Sequence, residues 1–412
     1  MSTTDLDSDP ILDVDDEEPD EEPEVRASRV RREWTARRLA TLLAPGLIYL
    51  AIREVGLLVL TWMASANGYP MADRLTAWDG QWFLGIAQGG YDGTPPELKD
   101  AYYQHRGDTA MAFFPGYPTG IRWLAGIDGP GGIGLVTAGL TITIVSGVIC
   151  AYGLVRLGQL VEGGSRRVGL ILVALFAAAP MSIVLSMVYS EALFCALAVW
   201  SLVGVLERRW VLAGICCGLA GLVRPTAAAL ILVIGLAVAI TLIKRWDDGR
   251  AWLGGLLAPV GLVAYLGFVA AKLHNPSGWF GVQQRGWNSR FDAGLSTWQN
   301  AVDTLTRQQD VFAILNVGLI IAALVLAVIC VVRRQEWPLL VYGLGVLAMD
   351  LASNGLFYSK VRLMLTAFTL LVPVAMGLAK RRTSTAVITI CALTLASSWL
   401  GAYGLTNWGY AI

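Results

Sequence analysis

Apolar residues in this chain come in blocks instead of alternating, and from Leu39 onward the blocks approach the ~20 residues that cross a bilayer as a helix. The pattern predicts eleven helices, near residues 39–62, 131–155, 168–188, 191–206, 211–223, 226–243, 251–271, 311–332, 338–352, 361–378 and 384–403. The fifth and sixth are short and flank Arg224-Pro225. Proline interrupts the backbone ladder there, which predicts a hairpin that crosses incompletely or meets a wet cavity. The expected fold class is an all-α polytopic membrane protein.

Polar segments between the blocks sort by charge. RASRVRREWTARR (26–38), RLGQLVEGGSRR (156–167), ERR (207–209), KRWDDGR (244–250), RR (333–334) and KRR (380–382) fall on one side if every block crosses. Short basic connections stay in the cytoplasm, so the N-terminus is expected inside and the C-terminus outside. The opposite face receives two long loops, 63–130 and 272–310, rich in tryptophan and other aromatics. Loops beyond about 12–15 residues are functional or disordered, and this aromatic content argues for order. No repeat of fixed period is visible.

Composition agrees with this pattern. Of 412 residues, 55% are apolar and 15% charged, and the mean hydropathy is +0.58, which excludes an ordinary soluble domain. The net charge of zero hides an asymmetry: residues 1–24 hold twelve of the 31 acids and no base. That stretch predicts a disordered acidic tail, so the expected division is 1–38, an acidic then basic cytoplasmic tail, and 39–412, the membrane domain. No cleavable signal precedes the first block, which is read as a retained anchor. The six cysteines sit in apolar runs without ligand spacing, as small buried hydrophobes do.

Five stretches carry candidate chemistry. In WDGQWFLGIAQGGY (78–91), helical spacing places Trp78, Trp82, Gly85 and Ile86 on one stripe and Gln81 and Gln88 on a wetter side. This predicts a short helix lying in the headgroup layer. Asp79 opens it, either as a helix cap or as a general base toward a hydroxyl presented at the lipid surface. AFFPGYP (112–118) predicts a re-entrant turn. In PMSIVLSMVYSEALF (180–194), Tyr189 stands beside Ser190-Glu191, a helix cap or a site acid. Arg224, in GLVRPT, either snorkels or grips a phosphate with its planar fork. Lys360 and Arg362 run against the positive-inside trend, so an anion, if only a lipid headgroup, is expected near them.

The motifs W-D-x-x-x-F-x-x-I-A-x-x-G-Y (Trp78 to Tyr91), A-F-F-P-x-x-P (Ala112 to Pro118) and P-x-S-I…Y-S-E-x-L-F (Pro180 to Phe194), followed by Arg224, resemble the PIG-V family, the second mannosyltransferase of glycosylphosphatidylinositol assembly. The resemblance spans roughly 40–380. It implies a membrane-embedded glycosyltransferase of the C type (GT-C), with interfacial helices in a large first external loop, acting at the outer face of the cytoplasmic membrane. Such an enzyme moves a sugar, here mannose, from a polyprenyl-phosphate donor to a lipid-linked or glycolipid acceptor with inversion. Asp79 is then the catalytic base. Arg224, Lys360 and Arg362 are candidates for the donor phosphate, and Trp78, Trp82, Tyr91, Phe114, Tyr117, Tyr189 and Glu191 for substrate contacts. Lipids are the surroundings, and nucleic acid has no expected role.

Two rivals remain at this stage. One is transfer of another polyprenyl-linked sugar. The other is a lipid or solute transporter, for which Arg53-Glu54 and Asp350 are the intramembrane charges to consider. No cofactor is required by the motifs. A divalent metal is compatible with Asp92 or Asp108 joining Asp79, although their spacing does not demand it.

Overall fold

The computed structural model describes residues 23–126, 133–307 and 310–411, with side chains from residue 38 onward. The acidic segment 1–22 lies outside the described residues, as do parts of both long loops (127–132 and 308–309). The chain divides into two units, 1–44 and 45–412. Helix α1 (Pro23–Ala66) already includes the basic stretch, so the part of the expected tail from residue 23 on is helical.

Each of the eleven apolar blocks contains an α-helix, and no strand occurs among the described residues. After α1 come two short helices of the first loop, α2 (Met71–Leu75) and α3 (Asp79–Gly89), and then α4 (Gly116–Ala125). The next blocks form α5 (Leu135–Leu160), α6 (Arg166–Ala177), α7 (Glu191–Leu206), α8 (Trp210–Gly221) and α9 (Ala227–Lys244). The 251–271 block is two helices, α10 (Gly249–Leu257) and α11 (Val260–Lys272), jointed at Pro259. The second loop holds α12 (Gly278–Trp287) and α13 (Leu295–Thr306). Then follow α14 (Val311–Val332), α15 (Trp337–Leu351), α16 (Lys360–Met364), α17 (Val372–Ala379) and α18 (Thr383–Thr406). Among the described residues, seven segments are long and apolar enough to cross a membrane, and α7, α8 and α15 are shorter apolar helices.

The charge-sorted connections gather at two ends. The basic ones meet: Arg156 pairs with Glu207 at 2.5 Å, and Arg167 donates to the Arg381 carbonyl at 2.8 Å. The two long loops also meet, through Ala101 N–H to the Gly286 carbonyl (3.0 Å) and Gln283 to the Ala112 carbonyl (3.0 Å). Lys272 to Asp92 (2.5 Å) and Arg285 to Asp108 add ion pairs.

Three blocks break where the sequence reading expected continuity or left the shape open. The 168–188 block stops being an α-helix at Ala177, passes through Met181 at φ 58°, and makes a 3-10 turn over Ser182–Ser186. Non-helical backbone inside an apolar core is tolerated only where protein groups satisfy it. Arg53 does so from α1, donating to the Ala177 carbonyl (2.7 Å), Ser182 Oγ (2.6 Å) and Ser186 Oγ (3.0 Å). The α8–α9 hairpin turns over Leu222–Thr226, and at 1.5 Å per residue α8 is only about 18 Å long, too short to cross alone. The 361–378 block kinks at Ala367.

Helix packing relies on small residues, as is usual when lipid removes the hydrophobic drive for helices to associate. A Cβ on Gly214 would stand 2.5 Å from the Gly254 carbonyl oxygen, and one on Gly254 would run into the Trp210 carbonyl. Thus α8 and α10 touch backbone to backbone. Gly254→Leu is expected to destabilise the folded protein by about 1–3 kcal/mol through overpacking, seen as a lower Tm in detergent, whereas Gly235→Leu, facing open space, should leave it near wild type.

Candidate active site

Three of the predicted stretches converge because each ends a helix at the same place. The segment before α3 is fixed to the break after Ser186. Val188 N–H donates to the Leu75 carbonyl (2.9 Å), and the Tyr189 hydroxyl donates to the Ala77 carbonyl (3.2 Å). Trp78 between them has φ 51°, a conformation that side chains larger than glycine rarely adopt, and it turns the chain into α3. Asp79 is the first residue of that helix and makes no capping bond. Its Oδ2 instead accepts from Arg362 Nη1 at 2.6 Å.

Arg362 comes from the other half of the chain, in α16, and is more deeply buried than its partner, at 8% side-chain exposure against 27% for Asp79. Its Nε is 3.7 Å from Glu191 Oε1, and its guanidinium lies 5.0 Å over the Tyr189 ring. Glu191 opens α7, fully buried, and its Oε1 is also 2.9 Å from Arg224 Nη1. Arg224 donates to Ser190 Oγ at 3.1 Å. Ser190 and Asp79 both precede or open helices without capping them, so the capping alternative is set aside at both positions. Their polar atoms go to arginines.

Arg224 is delivered by the α8–α9 turn, which α4 holds in place. Gly116 N–H donates to the Leu222 carbonyl at 2.7 Å, and a Cβ on Gly116 would lie 2.9 Å from that oxygen. A glycine in AFFPGYP is therefore required by the close approach of the arginine-bearing turn. Lys360 lies apart from this chain of contacts. Its Nζ donates to the carbonyls of Asp350 (2.6 Å) and Ser353 (2.7 Å), closing the end of α15. That bonding makes Lys360 a backbone clamp, in contrast to the free phosphate ligand expected. The Asp350 carboxylate is buried without a hydrogen-bond partner, with Lys360, Arg224 and Arg362 as the cations that act on it.

The aromatic candidates mostly build the walls. Trp82 is buried, stacked on Phe113 (5.4 Å) and His105 (6.0 Å), with Trp287 edge-on. Its stripe with Gly85 and Ile86 is covered by the first loop, where Leu98 and Pro95 lie against Gly85, instead of sinking into lipid. Gln81 and Gln88 are exposed, as expected. Phe114 is buried against Tyr265 and Trp279. The Tyr91 hydroxyl donates to the Phe113 carbonyl (2.9 Å), and burial pushes its phenol well above the usual range. Tyr117 is fully buried, with its hydroxyl on the Gly139 carbonyl (3.0 Å) and Thr143 Oγ1 (2.7 Å). Trp78 and Asp79 remain half-exposed. Trp82, Phe114, Tyr117 and Tyr189 thus pack within the protein, whereas a ring that stacks on sugar must be open.

Asp92 and Asp108, considered with Asp79 for a metal, pair with Lys272 and Arg285. Among the described residues no group of three or more metal-ligating side chains is gathered. The sequence reading did not foresee Ser190 as a ligand of Arg224, the His105–Trp82 stack, or Asp100. The Asp100 carboxylate is buried, takes Arg106 at 2.7 Å and accepts from two backbone N–H groups. The cysteines are free; Cys150, Cys195, Cys217 and Cys330 are buried, while Cys216 is partly and Cys391 fully exposed, unlike the expectation for all six.

No protein-family model and no curated protein sequence matches the chain. Among solved structures it is similar to ArnT from Cupriavidus metallidurans bound to undecaprenyl phosphate, with a TM-score of 0.47 and 14% identity over 87% of this chain and 75% of that one. It is also similar to the oligosaccharyltransferase AglB from Archaeoglobus fulgidus in complex with an inhibitory peptide and a dolichol-phosphate (0.45, 14%, 88% and 56%). A further Archaeoglobus fulgidus oligosaccharyltransferase, in complex with Zn and sulfate, gives 0.41 and 13% over 87% and 53%. The chain spans little more than half the length of these two oligosaccharyltransferases.

Removing one member of a buried ion pair strands the other, at a cost of about 3–5 kcal/mol. Arg362→Met leaves both Asp79 and Glu191 without this partner and is expected to lower Tm more than Asp79→Asn, which leaves Arg362 beside Glu191 and able to donate to the new amide oxygen. Thermal unfolding of the two variants in one detergent is the measurement.

Proposed function

We propose that the protein is an inverting membrane glycosyltransferase of the GT-C type, similar to the PIG-V family. It moves mannose from a polyprenyl-phosphate donor to a lipid-linked or glycolipid acceptor at the external face of the cytoplasmic membrane. The observation that carries this reading is the Asp79–Arg362 pair at 2.6 Å, half-open on the aspartate side and backed by Glu191 and Arg224. An inverting displacement uses a carboxylate as base and none as nucleophile, and a phosphate leaving group needs no acid to protonate it; of the two carboxylates here, Asp79 is the half-open one and Glu191 is fully buried.

In that reaction the acceptor hydroxyl oxygen bonds to the anomeric carbon and passes its proton to Asp79. The bond from that carbon to the phosphate oxygen breaks, and its electron pair leaves on the phosphate. Arg362 and Arg224 are the cations placed to meet that charge, while Glu191 keeps both guanidinium groups aimed. Lys360 contributes by holding the α15–α16 connection, and through it the position of Arg362. Mannose as the sugar rests on the motifs from Trp78 to Phe194. Transfer of a different polyprenyl-linked sugar is the alternative that labelled donors separate.

The transporter reading loses one of its residues to structure. Arg53 is consumed by three bonds to the 177–186 break, which leaves Glu54 and the Asp350 carboxylate, buried without a hydrogen-bond partner, as the charges that reading could still use. Purified Asp79→Asn protein, given radiolabelled polyprenyl-phosphate-mannose and a membrane glycolipid extract, should transfer sugar roughly 10²–10⁴-fold more slowly than wild type while unfolding at a similar temperature. Transfer at near wild-type rate would remove Asp79 from the chemistry.

A further inference from the structure

The second long loop contains a helix whose sides face three different surroundings. Asp292 opens α13: its carboxylate accepts from Gly294 N–H (3.0 Å), from Ser296 N–H (3.0 Å) and from the Ser296 hydroxyl. The Ser296 hydroxyl above all, with these backbone donors, holds the Asp292 carboxyl below its ordinary range. One side of α13 carries Thr297 and Thr304, both buried against the protein. A second side carries Gln299, Asn300 and Asp303, all exposed, with Asp303 paired to Arg307 at 3.2 Å.

The third side carries Leu295, Trp298, Val302 and Leu305, spaced three, four and three residues apart. On a helix that spacing is one continuous stripe. All four are exposed, Trp298 by 69% and Leu305 by 61%. Apolar side chains this large are not left in water as a stripe without cost, at about 25 cal/mol per Å² of exposed apolar surface.

The neighbouring span indicates what covers it. Helix α14 begins five residues beyond α13 with its own exposed apolar face, Val311, Ile314 and Leu315, at the start of a membrane-crossing segment. The stripe of α13 is therefore followed in the chain by an apolar face on a segment long and apolar enough to cross a membrane. Its water-side polar residues lie beside the stripe, as in a helix lying in the plane of an interface. Tryptophan in that stripe suits headgroup depth.

We infer that α13 is a membrane-surface helix, seated by Leu295, Trp298, Val302 and Leu305 in the boundary between headgroups and acyl chains on the site side of the protein. The seat is hydrogen-bonded to the segment that leads from α15 into α16. Thr297 Oγ1 donates to the Leu351 carbonyl (2.7 Å), Asp292 N–H to the Ala352 carbonyl (3.0 Å), and Asn354 N–H to the Arg290 carbonyl (2.7 Å). Residues 350–353 are the ones that Lys360 clamps. Seating α13 in lipid thus fixes the depth at which Lys360 and Arg362 stand relative to the bilayer surface. The inference concerns lipid contact alone and stands whether or not the protein transfers sugar.

The test uses full-length protein carrying Cys391→Ser and Cys216→Ala, reconstituted in phosphatidylcholine–phosphatidylglycerol nanodiscs. Single cysteines replace Trp298, Val302, Gln299 or Asp303 and receive an environment-sensitive fluorophore. Labels at 298 and 302 are expected to be quenched by doxyl lipid at least about threefold more than labels at 299 and 303, with aqueous iodide giving the reverse order. Equal iodide quenching at all four positions overturns the proposal, because the helix then lies in water. Shielding of 298 and 302 from both quenchers also overturns it, because a protein, whether a second copy or another chain, then covers the stripe. If Trp298→Cys does not fold, the Val302 and Asp303 pair gives the same comparison.

Discussion

The ion pair between Asp79 and Arg362 is the constraint on which the rest of the site depends. A charged group removed from water costs several kcal/mol unless a partner and hydrogen bonds repay it, and Arg362 is almost wholly enclosed. Its charge is met by Asp79 from α3, by Glu191 from α7 and by the Tyr189 ring under the guanidinium, while its Nε is left without a hydrogen-bond partner. Those residues belong to segments more than a hundred positions apart. Each segment must therefore end its helix at the same depth, and the broken 177–190 and 352–360 stretches follow from that demand.

Breaking helices inside an apolar core releases backbone groups that lipid cannot satisfy. The chain answers with cations that serve the backbone and carry no ligand. Arg53 takes the freed Ala177 carbonyl, and Lys360 takes those of Asp350 and Ser353. Two of the intramembrane cations are thus scaffold, and two, Arg224 and Arg362, are paired to acids at the convergence. The distinction separates cations bonded to backbone from cations paired to acids, and burial alone does not draw it.

Block hydrophobicity and the charge of short connections are enough to put an α-helix in each of the eleven apolar segments and both long loops on one face. The same signals could not see the break after Ala177, because a fully buried segment reads as apolar whether it is helical or not. The roles of Asp79 and Ser190 were ambiguous for a related reason. A polar residue opening a helix resembles a cap in sequence, and only the position of arginines from distant segments shows that its oxygens are taken. The aromatic residues misled in the other direction. Tryptophan, tyrosine and phenylalanine line a wall and a binding surface with the same composition, and Tyr117 and Trp82 turn out to be wall. The stripe on α13 is legible in its spacing, although the loop around it is aromatic and basic and only part of it is periodic.

The pairing of Asp79 with Arg362 has a mechanical consequence on the proposed reading. Two acids (Asp79 and Glu191) face two cations (Arg224 and Arg362), so the cluster is formally balanced before any phosphate arrives. A phosphate adds negative charge and competes with carboxylates for the same guanidinium donors. Glu191 is fully buried and bound by backbone position at the head of α7, so it is the partner least able to yield. Asp79, half-open and on a short helix entered through the strained Trp78, is the one able to move. Oδ2 holds the guanidinium, and Oδ1, the second oxygen of the carboxylate, is left to accept a hydroxyl proton. A donor phosphate that draws Arg362 toward itself frees Oδ2 as well, so the whole carboxylate turns to the acceptor when the leaving group is present.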